Sequence, residues 1–309
     1  MATVPLTTSD VRGIFSPVVT PFDEREDVDL AAFRAEVRYL LQFGVSGLLV
    51  GAATGEGYSL TRDESAAVYE AAVEEARGRV PVVAGVLCTS TRDAVKRARR
   101  AAAAGAAAVL ATPVSYFAPT DEGIYSYYLA LCEEGGLPVV VYNSLPHIPI
   151  RPHLLERLAD LPGVIAVKEG SGGDLDTLAQ LIEARGDQIA VTWSEDHLLF
   201  PGYALGAVGS FGAMDSVLPG PGVETFRAVQ RGDLETARKL HHGVAGVARA
   251  VFAASFPAGI KAAINLQGRR VGQPRRPYRS LTREQQRRIA DALAAAGASP
   301  RAALSESSG

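Results

Sequence analysis

Lys168 closes a short apolar run, Val164-Ile165-Ala166-Val167-Lys168. If that run is a strand, Val164, Ala166 and Lys168 share one face and Ile165, Val167 and Glu169 the other. On an inward face the amine stands in low-dielectric surroundings, which disfavour its charged form. A neutral amine attacks a ketone to give a Schiff base. The alternative is a lysine that pairs with Glu169 or extends its charge to solvent at a strand edge. Tyr142, followed by Asn143, closes another apolar run, Val139-Val140-Val141. A phenol there can relay protons to a carbinolamine, or it is simply packed at a rim. A third segment, Gly51-Ala52-Ala53-Thr54-Gly55-Glu56-Gly57, is rich in small residues. Its backbone N–H groups can approach a carboxylate as an anion-binding nest does, with the Thr54 hydroxyl as a further donor. It also reads as an ordinary glycine-rich turn.

Amines are scarce in this chain. Of 31 basic side chains only Lys96, Lys168, Lys239 and Lys261 are lysine. Arginine stays protonated at any working pH and forms no such imine. Lys96 lies in a basic stretch with Arg97, Arg99 and Arg100, Lys239 beside Arg238, and Lys261 near the C-terminus. Only Lys168 ends an apolar run.

These groups must be positioned by the elements around them. Short apolar, β-branched runs alternate with amphipathic segments along the chain. The runs are 13–22, 48–52, 82–87, 107–111, 139–142, 164–167, 189–193 and 207–211. Helical segments follow them, with Asp29 as an N-cap, Thr61 and Glu64 as a Thr-x-x-Glu capping box, Ser90 or Thr91 as a cap, and Thr120 and Asp174 as further starts. Eight such units fit a (β/α)8 TIM barrel, an α/β fold whose reactive groups sit at the C-terminal ends of the strands. A doubly wound open sheet is the alternative, but no GxGxxG turn follows the first run. The expected organisation is a barrel over residues 11–231 and a C-terminal helical extension over 232–298. That extension has helices at 234–251, 259–266 and 282–296. Residues 1–10 and 299–309 read as disordered tails.

Composition excludes several classes. With 47% hydrophobic and 21% charged residues, the chain has an ordinary soluble globular composition. A net charge of −3 offers no attraction for nucleic acid or an anionic membrane. No apolar stretch approaches the ~20 residues of a transmembrane helix, and residues 1–10 lack a signal-peptide core. Cys88 and Cys132 lie in apolar surroundings and read as buried free thiols of a reducing, cytoplasmic protein. The five histidines show no HxxxH spacing and no cysteine partners, so no metal site is read.

Together these residues resemble the dihydrodipicolinate synthase / N-acetylneuraminate lyase family of class I Schiff-base aldolases and dehydratases. The matching pieces come in the family's order. They are the loop Ala52-Ala53-Thr54-Gly55-Glu56 with Ser59-Leu60-Thr61 and Glu64, then Thr112-Pro113, then Tyr142-Asn143 with Pro146, then Val167-Lys168-Glu169-Gly170-Ser171-Gly172. Residues 205–210 and 259–263 match in type, and the resemblance spans about residues 11 to 296. It implies that Lys168 condenses with pyruvate or another 2-keto acid and that Tyr142 moves protons. Thr54 and the N–H groups of Ala53 and Thr54 then hold the α-carboxylate. No metal or organic cofactor is implied. A small-molecule substrate, a C-terminal helical bundle, a structural role for Lys261 and a homotetramer are.

The family pattern breaks at identifiable positions. The synthase branch has a second hydroxyl residue where this chain has Ala53. Its second tyrosine aligns with Ser115, or with Tyr116 in a register shifted by one. Its arginine for the semialdehyde carboxylate is missing from the stretch 144–148, before Arg151. These departures argue against lysine-pathway synthase activity. The neuraminate-lyase branch has a serine where this chain has Ala213, and its paired acids become Glu195-Asp196-His197. The loop 53–60 is most similar to sugar-acid dehydratases and aldolases of the family. Asn143, Ser144, Glu195, Asp196, His197 and Phe211, with Ser115 and Tyr116, are expected to shape the pocket. The leading expectation is aldol cleavage, condensation or dehydration of a sugar-acid-like 2-keto acid. The alternatives are 4-hydroxy-tetrahydrodipicolinate synthase and a non-catalytic keto-acid-binding protein of the same fold.

Overall fold

Helix starts along the chain are set by side chains that satisfy the first orphan N–H groups. Thr61 and Glu64 form the reciprocal capping box, and Asp29, Ser90, Thr120 and Asp174 each accept a backbone N–H of the turn they open. The computed structural model describes residues 4–113, 117–145, 148–170 and 172–298. In chain order the elements are β1 Gly13–Val18, α1 Leu30–Leu40, β2 Gly47–Val50, α2 Arg62–Ala76, β3 Val82–Val86, α3 Thr91–Ala103, β4 Ala108–Ala111 and α4 Asp121–Glu134. They continue as β5 Val139–Asn143, α5 Pro152–Ala159, β6 Val164–Glu169, α6 Leu175–Arg185, β7 Ala190–Trp193, α7 Leu199–Ala204, β8 Gly209–Ser210, α8 Met214–Val217 and α9 Pro219–Gln230. Three further helices follow: α10 Leu234–Phe252, α11 Phe256–Leu266 and α12 Arg283–Ala295.

The strands pair in sequence order, all parallel, and β8 returns to β1 to close the barrel. Each strand therefore has two apolar environments. Phe15, Leu49, Val83, Leu110, Val140 and Ala166 fill the barrel, while Leu48, Val50, Val82, Val109, Val139 and Val167 pack under the helices. This is why the strands read as continuous apolar runs rather than alternating ones.

Several expectations need correction. The eighth strand shrinks from 207–211 to Gly209–Ser210, because it bonds only short lengths of its two neighbours. In β6 the two-residue period breaks. Val139 pairs with Val164 and Val140 with Ala166, so Ile165 is an extra residue that turns into the barrel with Ala166. Val164 goes to the helix side. Lys168 thus stands above Ala166 but not above Val164. Residues 4–10 are not a free tail. Leu6 is buried within the barrel's inner cluster and its N–H donates to the Ala107 carbonyl at 2.9 Å. Residues 299–309 lie outside the described residues. Cys88 is buried but Cys132 is only half-buried, and both are free.

The C-terminal helices are bound to the barrel through charge as well as packing. The Arg269 guanidinium pairs with Glu36 of α1 at 3.0 Å and donates to the Ser216 carbonyl behind α8. Among the described residues no helix is long and apolar enough to cross a membrane.

Candidate active site

Tyr142 and Lys168 are register partners on adjacent strands, as are Asn143 and Glu169 one residue further on. The first pair points into the barrel and the second away from it. The Lys168 ammonium nitrogen lies 4.2 Å from the centre of the Tyr142 ring, and both side chains are less than a tenth exposed. Glu169 is not the lysine's partner. It accepts from Asn143 Nδ2 at 2.7 Å and from the Gly170 N–H at 3.0 Å, on the opposite face. Asn143 also bonds both backbone groups of Ile150, accepting its N–H at 2.8 Å and donating to its carbonyl at 3.1 Å. Asn143 is therefore a buried brace for the segment after β5.

The loop after β2 arches over β3. A Cβ at Gly85 would meet the Ala52 nitrogen at 2.5 Å, and one at Gly57 would meet the Gly51 carbonyl oxygen at 1.7 Å. Only glycine lets the two backbones come this close. The Gly57 and Glu56 N–H groups bond back to the Ala52 and Ala53 carbonyls, and Thr20 Oγ1 donates to the Gly55 carbonyl at 2.6 Å. The amides of Ala53 and Thr54 are left without a partner among the described residues, next to the nearly buried Thr54 hydroxyl. Glu56 holds a left-handed backbone conformation (φ 53°). Its carboxylate is fixed by Lys261 Nζ at 2.7 Å and by the Arg275 N–H at 3.1 Å. Lys261 also donates to the Gln273 carbonyl at 3.0 Å and lies 4.1 Å above the Phe22 ring.

Ala53, Thr54, Tyr142 and Lys168 share one cavity of about 280 Å³ with Ser144, Glu195, Asp196 and His197. The hydroxyls of Ser144 and Ser194 are buried there and unpartnered among the described residues. Gly170 makes room for them, since a Cβ at that position would lie 2.7 Å from Ser144 Oγ and 3.2 Å from Ser194 Cβ. Asp196 is anchored by the N–H groups of Met214 at 2.8 Å and Ala213 at 3.1 Å. Burial pushes its carboxyl up to about 6, against the pull of those N–H groups and of Lys168. Burial also raises Glu195, with Lys168 acting the other way. The His197 imidazole is pushed down by burial and by Arg249, and its ring sits 5.3 Å from Phe252.

Most of the residues singled out from the sequence thus converge on one cavity at the C-terminal ends of β2, β5, β6 and β7. Two do not. Asn143 faces outward for the reason given above. Phe211 is fully buried inside the barrel, where it stacks on Phe15 with ring centres 4.8 Å apart. Ser115 and Tyr116 lie outside the described residues. Sequence reasoning missed Phe252 and Phe256, which line the cavity with parallel rings 5.7 Å apart. They sit at the break between α10 and α11. Pro257 in the first turn of α11 was the available signal, since proline is favoured where a helix begins. Among the described residues no group of three or more His, Cys, Asp or Glu side chains is placed to hold a metal ion.

A sequence model of the dihydrodipicolinate synthetase family matches residues 10–296. A 4-hydroxy-tetrahydrodipicolinate synthase of Nitratidesulfovibrio vulgaris (strain Miyazaki F) is 38% identical over 290 residues, covering 93% of this chain and 98% of that protein. One from Bacillus velezensis is 32% identical over 278 residues, covering 89% and 96%. The crystal structure of dihydrodipicolinate synthase from Agrobacterium tumefaciens superposes with a TM-score of 0.88 at 31% identity, over 94% of this chain and 99% of that one.

Proposed function

The chain belongs to the dihydrodipicolinate synthetase family, and from that premise we propose a Schiff-base lyase in which Lys168 condenses with pyruvate or a longer 2-keto acid. The observation that carries the reading is the Lys168 amine, buried at the cavity floor over the Tyr142 ring, with no carboxylate in salt-bridge range among the described residues. The unpartnered N–H groups of Ala53 and Thr54, with the Thr54 hydroxyl, receive the α-carboxylate.

The steps balance without an added oxidant or reductant. The amine lone pair adds to C2, and the proton lost from nitrogen passes through the Tyr142 hydroxyl to the former carbonyl oxygen. The carbinolamine hydroxyl then takes up a proton through Tyr142 and leaves as water, and the nitrogen lone pair closes the C=N bond of an iminium ion. In aldol cleavage the C3–C4 bond breaks, its electrons form the enamine, and the C4 hydroxyl gives up its proton as the aldehyde departs. In dehydration C3 loses a proton to form an enamine that still carries C4, and the C4 hydroxyl leaves with a proton as water to give a conjugated iminium ion. After cleavage C3 of the enamine takes up a proton to return the iminium ion, and in either branch its hydrolysis releases the keto acid and restores Lys168.

The distal half of the cavity favours a neutral, hydroxylated substrate end. It offers the hydroxyls of Ser144 and Ser194, the acids Glu195 and Asp196, and the face of Phe252. Among its described lining residues Lys168 is the only lysine or arginine. Arg151 lies instead on the surface, paired with Asp121 at 2.8 Å. This supports a 2-keto-3-deoxy sugar acid over a second substrate carboxylate. The names of the relatives favour 4-hydroxy-tetrahydrodipicolinate synthase as the second reading. A homotetramer acting in the cytoplasm is the expected setting, and light scattering of the purified chain tests the assembly.

Borohydride treatment in the presence of each candidate keto acid should add the reduced acid to the Lys168 peptide, and Lys168→Arg should abolish the adduct while leaving the fold intact. No adduct from any 2-keto acid would sink the proposal. Turnover of pyruvate with aspartate semialdehyde, and not of sugar acids, selects the second reading.

A further inference from the structure

One buried acid next to the cavity has no part in the chemistry above. Asp215, in the short α8 segment, is fully buried. Its Oδ2 is bonded to Ser210 Oγ at 2.7 Å, and its Oδ1 has no partner among the described residues. Oδ1 sits where a Cβ on Gly222 would be, 2.2 Å from that position. Asp196 lies on the cavity side of the same turn. A Cβ at Gly212 would stand 2.8 Å from Asp196 Oδ1 and 3.1 Å from Asp215 Oδ2, so the two carboxyl groups flank one glycine at no more than about 6 Å.

Two carboxylates this close in a dry site do not both ionise readily, and one retains a proton. The surroundings decide which. Asp196 receives two backbone N–H groups and faces Lys168 across the cavity, with Glu195 the like charge beside it. Asp215 receives the Ser210 hydroxyl at 2.7 Å and the pull of one N–H, that of Gly212. Around it stand Asp196, the Tyr203 phenol of α7 and the Ser210 hydroxyl, with Ser16 of β1 bonding only its carbonyl. On the far side of α8, Gln267 and the Arg269–Glu36 pair engage the carbonyls of Ser216 and Val217, not the Asp215 side chain. An orphan oxygen is far less costly as half of a neutral acid than as half of a carboxylate.

We propose that Asp196 and Asp215 share a single proton across Gly212, that Asp215 holds it, and that Asp215 thereby keeps Asp196 in the cavity as the carboxylate that accepts from a substrate hydroxyl. Asp215 is a positioning residue. Its catalytic consequence rests on the Schiff-base reading, whereas the shared proton does not. Burial raises both acids, Asp196 to about 6 and Asp215 to about 7, in the order the geometry requires.

The test compares the wild-type chain with Asp215→Asn, which imitates the protonated acid, and with Ser210→Ala, which removes the hydroxyl. An aspartate that binds its proton more tightly folded than unfolded contributes stability at low pH and loses it as pH rises. The wild-type melting temperature minus that of Asp215→Asn should therefore fall from pH 5 and level off near neutrality. In Ser210→Ala the levelling should move to higher pH. A difference that is flat from pH 5 to 8.5 overturns the shared proton. The second measurement is deuterium exchange at C3 of a 2-keto-3-deoxy sugar acid, whose distal hydroxyl meets Asp196, with the pyruvate methyl group, which needs only the imine and its enamine, as the control. The wild-type rate should inflect near neutral pH, and Asp215→Asn should lose that inflection while still exchanging. Identical profiles overturn the positioning role. Absence of exchange in the wild type refutes the Schiff-base reading instead, and the thermal comparison still decides the proton.

Discussion

Replacing Lys261 by methionine should damage both stability and keto-acid binding, although the residue never touches the cavity. The substitution keeps the length of the side chain and removes its charge. Glu56, fully buried, is then left with the Arg275 N–H as its remaining close donor. Breaking a buried ion pair from one side costs about 3–5 kcal/mol, because the surviving charge is uncompensated. Burial pushes the Lys261 amine down to about 8, with Glu56 pulling the other way, so the ammonium is still charged at pH 7. For a chain of 309 residues that loss lowers the melting temperature by roughly 5–8 °C.

Glu56 also sets the left-handed turn that ends the carboxylate-binding loop, so KM for the keto acid should rise in the same variant. A double-mutant cycle with Glu56→Gln, read by urea unfolding, isolates the pair. The double variant removes both charges and should recover much of the loss, with a coupling of about 2 kcal/mol or more. Additive losses, or a Lys261→Met cost below about 1 kcal/mol, would refute the idea that this pair holds the loop.

Three further outcomes follow from the same geometry. Thr54→Val keeps the shape but removes a hydroxyl donor to the keto-acid carboxylate, so KM should rise about tenfold with the Lys168 adduct still forming. Asn143→Ala should cost about 1–3 kcal/mol in urea unfolding, by stranding the buried Ile150 N–H, and leave substrate preference unchanged; altered preference would return Asn143 to the specificity set. A chain ending at residue 231 should show no cooperative thermal transition, because Glu36 and Glu56 lose their buried partners Arg269 and Lys261.

The barrel was legible because each strand is apolar on both faces and each helix carries its own start signal. Asp29, Thr61, Ser90, Thr120 and Asp174 all open the helices they were read to open. Lys168 and Tyr142 were legible for a related reason: a polar residue that ends an apolar strand in a βα barrel stands at the mouth. What stayed hidden depends on contacts distant in sequence. The extra residue in β6 arises from pairing with β5, and no local pattern at Ile165 announces it. Phe211 reads as a residue at a strand end, yet Phe15 on the first strand claims its ring. Phe252 and Phe256 join the cavity only because α10 and α11 fold back over it.

The C-terminal helices are therefore part of the site as well as an addition to the barrel. They reach the cavity by two routes. By one, Lys261 and the Arg275 backbone hold Glu56, and through it the loop whose N–H groups we propose receive the keto-acid carboxylate. By the other, Phe252 packs on His197, which lines the cavity together with Glu195 and Asp196. Tyr142 and Lys168, the proposed Schiff-base pair, stand on β5 and β6. Chemistry and recognition are thus carried by different stretches of chain. Changes in α10 and α11 can retune which keto acid is accepted while Lys168 and Tyr142 remain as β5 and β6 place them.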